Sequence, residues 1–165
     1  MYSYIFDQEE KTQRLGDALG ACLREGDVVL LRGEMGAGKS VLTRAAARGM
    51  GVEGPVPSPT FTILNIHEGR SMRLYHFDLY RLEGVDALYE MGLEEYIPAG
   101  DGAAFIEWPE MAEEAMPEDA LTVTLTYEED GMTRKAVLTP GGAFDSARID
   151  EILQRMEEND EHPDD

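Results

Sequence analysis

The sequence predicts an α/β fold, a three-layer sandwich built on a central mixed sheet with antiparallel hairpin additions. Three observations carry that expectation. Short apolar runs alternate with helical pattern in the first third of the chain, the order that builds parallel strands with helical crossovers. A glycine-rich loop joins the second such strand to the second helix. Further on, Glu68-Gly69-Arg70-Ser71 and Asp130-Gly131 each separate two β-rich runs, as hairpin turns do.

The elements follow in order. Tyr2–Phe6 reads as a first strand, and Asp7–Arg24 as a helix with Asp7 as its cap and Glu10 as the return partner. On that helix Leu15, Leu19 and Cys22 share a face, with Ala18 beside them. Asp27-Val28-Val29-Leu30-Leu31 has the length and composition of a buried strand. Val41 to Arg48 is Ala-rich and free of breakers up to Gly49, hence helix. Residues 51–59 form a loop stiffened by prolines, then Thr60–His67 and Met72–Tyr80 pair as an antiparallel hairpin. Val85–Met91 and Leu93–Ile97 are short helical pieces broken at Gly92, and Ala103–Glu107 is an apolar strand ending in an acid. Leu121–Tyr127 and Met132–Leu138 flank Asp130-Gly131, and Phe144–Met156 closes the chain as a helix. At 165 residues this makes one domain, residues 1–156, followed by an acidic tail at 157–165 expected to be disordered.

The loop between the second strand and second helix carries the chemistry. Gly33 to Ser40 reads G-E-M-G-A-G-K-S and fits G-x-x-x-x-G-K-[ST], the phosphate-binding P-loop. Gly36 and Gly38 admit backbone angles that let N–H groups curl round a phosphate, and the helix N-terminus adds its own pull on anions. Glu34, Met35, Gly36, Ala37, Gly38, Lys39, Ser40 and the following Val41 are therefore candidate nucleotide contacts. Lys39 brings a mobile positive charge to the β- and γ-phosphates, and Ser40 a hydroxyl to Mg2+. The fold expected is of the P-loop NTPase kind.

Such a loop needs an acid at the end of a neighbouring buried strand. Two acids qualify. Glu107 ends the more apolar strand, which favours it as the metal-side acid. Asp78 shares a strand face with Leu74 and His76 by alternation and remains the alternative. His76 itself reads as a packed strand residue. No N-K-x-D stretch for reading guanine is present, so adenine is the expected base and ATP the expected nucleotide.

Composition narrows the partners. A formal net charge of −20 repels nucleic acid and anionic membranes, so any role near RNA runs through a partner. No stretch reads as a signal peptide or a bilayer span. The single cysteine, Cys22, fits a reducing cytoplasm and a small core position rather than a nucleophile.

The motifs together resemble the TsaE family, ATPases of bacterial tRNA threonylcarbamoyladenosine synthesis. They are the loop at Gly33–Ser40, S-P-T-F-T at Ser58–Thr62, H-F-D-L-Y-R-L at His76–Leu82, M-G-L-E-E-Y at Met91–Tyr96 and I-E-W-P-E at Ile106–Glu110. The resemblance spans roughly Asp7 to Leu138. It implies an ATP- and Mg2+-dependent member of a cytoplasmic complex with TsaB and TsaD. That complex moves a threonylcarbamoyl group, supplied as an adenylate by a TsaC-type enzyme, onto N6 of adenosine 37 in tRNA. The resemblance implies that this chain hydrolyses ATP to reset the TsaD–TsaB pair; its acidic charge adds the expectation that it meets tRNA only indirectly and does not touch membrane. It implies Ser40 and Glu107 as the Mg2+ pair, and Thr60 as a switch sensing the γ-phosphate. It further implies Asp78 as the acid that orients the attacking water, Thr12 near the nucleotide and Arg134 near the base. Trp108 is implied to pack the switch region. Ser40 stands where most of the family carries Thr, and Met35 where Leu is commoner. Two other readings stay open on the residues alone: a small-molecule phosphotransferase, for which no arginine-rich lid is evident, and a nucleotide-binding module without hydrolysis.

Overall fold

The computed structural model describes residues 1–161. Its strands are β1 (Tyr2–Phe6), β2 (Val28–Arg32), β3 (Leu64–Glu68), β4 (Arg73–Asp78), β5 (Gly102–Glu107), β6 (Leu121–Tyr127) and β7 (Arg134–Thr139). Its helices are α1 (Glu9–Cys22), α2 (Lys39–Gly49), α3 (Val85–Glu90) and α4 (Ser146–Glu161), with 3-10 turns at Leu93–Tyr96 and Pro109–Ala115.

All strands join one sheet in the order β1-β7-β6-β2-β5-β4-β3. β2 runs parallel to both β5 and β6, and β4 parallel to β5, while β3, β7 and β1 are added antiparallel. The expected sheet, parallel at its centre and antiparallel at its margins, is thus the one observed. β5 is buried along its whole length, as a central strand covered on both faces must be.

Alternation along the strands splits the apolar side chains between two cores. On one face Val29, Leu31, Phe105, Leu121 and Val123 meet Leu15 and Leu19 of α1, Leu42 and Ala46 of α2, and Ile149 and Ile152 of α4. On the other, Val28, Leu30, Phe77 and Ile106 meet Leu88, Leu93, Ile97 and Ala112. Burying a leucine such as Leu19 is worth roughly 1.5–3 kcal/mol, so both faces hold their helical cover by area alone. α1 lies unusually close to α2. A Cβ at Gly20 would fall 2.0 Å from the Ala46 carbonyl oxygen, and one at Gly16 2.5 Å from the Ala45 Cβ.

Several boundaries differ from the sequence expectation. α1 starts at Glu9 behind an N-cap, Gln8, that makes no side-chain cap bond. Asp7 instead pairs with Lys11 at 2.7 Å, one turn on, which removes it as a cap. The strand expected from Thr60 begins only at Leu64, because Thr60 to Thr62 turn under the proline-rich loop. Ile63 there has a left-handed φ of 68°, with its N–H donating to the Pro59 carbonyl at 2.7 Å. α4 carries through Glu157 to Glu161, so the acidic stretch expected to be disordered begins as helix; residues 162–165 of that tail lie outside the described residues. Cys22 is buried, and burial among Glu151 and its neighbours pushes the thiol up to about 11, as suits a core residue. No described helix is long and apolar enough to cross a membrane.

Candidate functional site

The loop Gly33–Gly38 leaves β2 and delivers the chain into α2 at Lys39. Gly33 stands where a Cβ would strike the Leu125 carbonyl oxygen at 2.4 Å, so the loop passes hard against β6. Gly36 and Gly38 have φ of 80° and 107°, angles costly for any residue with a Cβ. Gly38 caps α2 without any side-chain bond, and the first turn carries no acid. The opening amides of α2 therefore keep their positive end for an external anion.

A cavity of about 480 Å3 opens in front of that terminus. It is lined by Thr12, Met35, Gly36, Gly38, Lys39, Ser40, Val41, Thr60, Asp78, Glu107, Trp108 and Arg134, which the sequence singled out, and by Glu9 and Ser58. Two expected contacts, Glu34 and Ala37, are not among the residues lining this cavity. Glu34 faces a neighbouring cavity of about 460 Å3 with Arg32, Glu110 and Tyr127. Ala37 packs its methyl into the core, and its amide is spent on the Glu34 carbonyl at 3.2 Å.

Lys39 is the least settled group in the cavity. Its side chain is buried, its Nζ has no hydrogen-bond partner among the described residues, and it lies 3.7 Å from the centre of the Trp108 ring. Burial pushes the ammonium pKa below the ordinary lysine value, against the opposing pull of Glu107, Glu110 and Asp78. A buried cation without a hydrogen-bond acceptor is costly, and an anionic ligand at the α2 terminus would relieve that cost.

The acidic wall is set by strand register. Asp78 ends β4 and Glu107 ends β5, and the two are Cα partners across the parallel pair, so both side chains leave the same face at adjacent strand ends. Leu74 and His76 share that face with Asp78, as alternation along β4 requires. Each carboxylate has its own donors. Asp78 accepts from the Thr60 hydroxyl at 3.2 Å and the Tyr80 N–H at 3.0 Å, and Thr60 is tied to the Ser58 hydroxyl at 2.8 Å. Glu107 Oε2 lies 2.7 Å from His76 Nε2. His76 is packed, as expected, but it also holds the acid that the sequence favours for the metal.

The opposite wall is Thr12 and Arg134, braced by a residue the sequence did not single out, Tyr127, which lines the neighbouring cavity. The Tyr127 hydroxyl donates to the Gly36 carbonyl of the loop, while the Arg134 guanidinium lies 4.8 Å from the Tyr127 ring centre and 3.3 Å from its hydroxyl. Thr12 Oγ1 and Arg134 Nε are buried without hydrogen-bond partners among the described residues. Tyr127 ends β6 beside the Asp130-Gly131 turn; its aromatic type at a strand end gave no cue that it would reach a loop 91 residues earlier.

The residues fit a nucleoside triphosphate with a small divalent cation. The unpartnered Lys39 ammonium suits phosphate oxygens. Ser40 and Glu107 supply hard oxygen donors to one cavity, the kind Mg2+ takes. Among the described residues no cluster of three or more His, Cys, Asp or Glu is arranged to hold a metal ion. A cation here would complete its shell from phosphate oxygens and water, as Mg2+ at phosphate sites does.

Comparison of the sequence with known proteins gives one family, and a solved structure shares the fold. Residues 6–136 match the family described as Threonylcarbamoyl adenosine biosynthesis protein TsaE. A tRNA threonylcarbamoyladenosine biosynthesis protein TsaE from Treponema pallidum is 38% identical over 122 residues, covering 74% of this chain and 89% of the relative. Its counterpart of the same name in a Nostoc species is 40% identical over 143 residues, covering 85% and 86%. The crystal structure of Bacillus subtilis YdiB superposes with a TM-score of 0.76 at 28% identity, over 96% of this chain and 95% of that one. With most of its length inside the family match and full-length relatives at this identity, the chain belongs to the TsaE family of threonylcarbamoyl adenosine biosynthesis proteins.

Proposed function

We propose that this chain is a P-loop ATPase that serves tRNA threonylcarbamoyladenosine synthesis by acting on a TsaD–TsaB complex in the cytoplasm. The observation that carries the reading is the unpartnered Lys39 ammonium at the α2 terminus, sharing one cavity with Ser40, Asp78 and Glu107. The family membership supplies the process, and the resemblance of the motifs supplies the partners and the role of resetting them between cycles.

In this reading the α2 amides and Lys39 bind the β- and γ-phosphates of ATP, with Lys39 leaving the Trp108 ring to do so. Thr12 and Arg134 flank the nucleoside end. Ser40 and Glu107 hold Mg2+, which when bound neutralises charge on the phosphate oxygens. Asp78 orients the attacking water and takes up its proton, and Thr60, now bonded to Asp78, is placed to exchange that bond for a γ-phosphate oxygen. Few groups around the phosphates carry positive charge: Lys39 and Arg134 are the cations lining the cavity. A site so sparsely supplied fits slow turnover alone and acceleration by partners.

Equilibrium binding of ATP to the purified chain, wild type against Lys39→Ala, tests the site. Loss of a charge-assisted phosphate contact worth about 1.5–3 kcal/mol weakens binding by about 10- to 100-fold. Equal affinity in the two proteins would refute the phosphate cradle.

A further inference from the structure

β4 carries a buried polar group that the ATPase reading leaves without a task. His76 is 3% exposed, in the middle of an otherwise apolar run. Among the described residues its Nδ1 is buried with no partner, so the ring costs the fold a desolvated polar nitrogen that a leucine or phenylalanine would not. The compensation is a single contact, Nε2 to Glu107 Oε2 at 2.7 Å, with both side chains buried.

Register explains how the two meet. His76 is the Cα partner of Phe105 on β5, and Glu107 lies two residues further along the same face. The imidazole therefore reaches diagonally along the sheet to the strand-end acid, while the direct partner of Glu107, Asp78, is engaged by Thr60 and the Tyr80 N–H. An ionised carboxylate only accepts, so with Glu107 ionised the proton of this bond is on His76 Nε2. The bond fixes Oε2 and the rotamer of Glu107 and leaves its other oxygen to the cavity the residue lines.

We propose that His76 is a positioning residue for the metal-binding acid: its Nε2–H holds Glu107 in the one orientation that offers a carboxylate oxygen to Mg2+ beside Ser40. This rests on the Mg2+ reading of Glu107 given above. Groups that orient a metal's carboxylate ligands typically change metal affinity by about 10- to 100-fold when removed. His76 touches neither nucleotide nor metal, so its loss acts through the cation alone.

The test measures the affinity of the full-length chain for a fluorescent ATP analogue as Mg2+ is varied, and again in EDTA. Four proteins are compared: wild type, Glu107→Gln, His76→Phe and His76→Gln, with a thermal melt of each. His76→Phe should raise the Mg2+ concentration for half-maximal effect by about tenfold or more while leaving the affinity in EDTA unchanged. His76→Gln, which retains an N–H donor of similar reach, should restore most of the wild-type Mg2+ response whatever its melting temperature. Should the aromatic replacement fail to fold, His76→Leu takes its place in the comparison. If Glu107→Gln shifts the Mg2+ response and the apolar His76 variants do not, the positioning role is refuted and the metal reading stands. If Glu107→Gln also leaves the Mg2+ response unchanged, the metal reading fails and takes the His76 role with it.

Discussion

The Lys39 ammonium lies 3.7 Å from the centre of the Trp108 ring, and Trp108 is the one tryptophan of the chain. Trp108 itself sits in a left-handed conformation, φ 59°, at the point where β5 turns into the Pro109–Ala115 segment. A cation drawn from an aromatic face to a phosphate changes the surroundings of that ring. Titration with ATP should therefore change tryptophan emission in the wild type, and Lys39→Ala should abolish most of the change at matched occupancy. Identical traces in the two proteins would show that the lysine stays where it is when nucleotide binds.

The close seating of α1 on α2 makes a second expectation. Gly20→Ala places a methyl 2.0 Å from the Ala46 carbonyl oxygen, a backbone atom that cannot step aside. The cost should be about 1–3 kcal/mol in urea denaturation. Gly100→Ala, with nothing within 4 Å of its Cβ and no left-handed φ, serves as the control and should be within about 0.5 kcal/mol of wild type.

Arg148 pins α4 to the start of β2. It donates to both carboxylate oxygens of Asp27, at 2.9 and 2.5 Å, and to the Ala143 and Cys22 carbonyls at 3.0 and 3.4 Å, with both side chains buried. Removing one partner strands the other charge, so Arg148→Met should cost about 3–5 kcal/mol. Adding Asp27→Asn should recover part of that loss, because Asn keeps an oxygen for the Arg24 N–H, now 2.7 Å from Asp27, without a buried charge. Urea denaturation of the single and double variants decides it; additive losses would mean the pair is not coupled.

Cys22 gives a pH dependence. Its thiol is raised from an ordinary 9.0 to about 11 in the folded chain, chiefly by burial and then by Glu151. A raised acid favours the folded state fully below pH 9, and the unfolded chain gains by releasing the proton above it. The contribution is therefore lost as pH rises from 9 towards 11. Between pH 8 and 10.5 the melting temperature of the wild type should fall further than that of Cys22→Ala. An equal fall in both would show that the thiol keeps its unfolded-state proton affinity.

Much of this was legible locally. The glycine-rich loop between β2 and α2, the apolar runs of β2 and β5 and the turns at Gly69 and Gly131 each rest on residues adjacent in sequence, and each appears where the pattern puts it. What escaped depends on register or distance. Asp27 reads as part of a strand, yet its role is set by Arg148, 121 residues away. Tyr127 reads as a strand end, yet it braces Gly36 across 91 residues. The His76–Glu107 contact follows from the parallel pairing of β4 with β5, and nothing in either strand alone specifies which residue faces which. The late start of β3 has a different cause: Thr60 and Thr62 have β-forming side chains, but the turn below Pro59 claims them.

The most direct test is phosphate release from ATP and Mg2+, first with this chain alone and then with TsaB and TsaD from the same source. Slow release alone and a marked rise only when both partners are present is the outcome expected of an ATPase that resets that complex, with Asp78→Ala removing the rise. Fast release that the partners leave unchanged, or no release in the full mixture although ATP is bound, would contradict it.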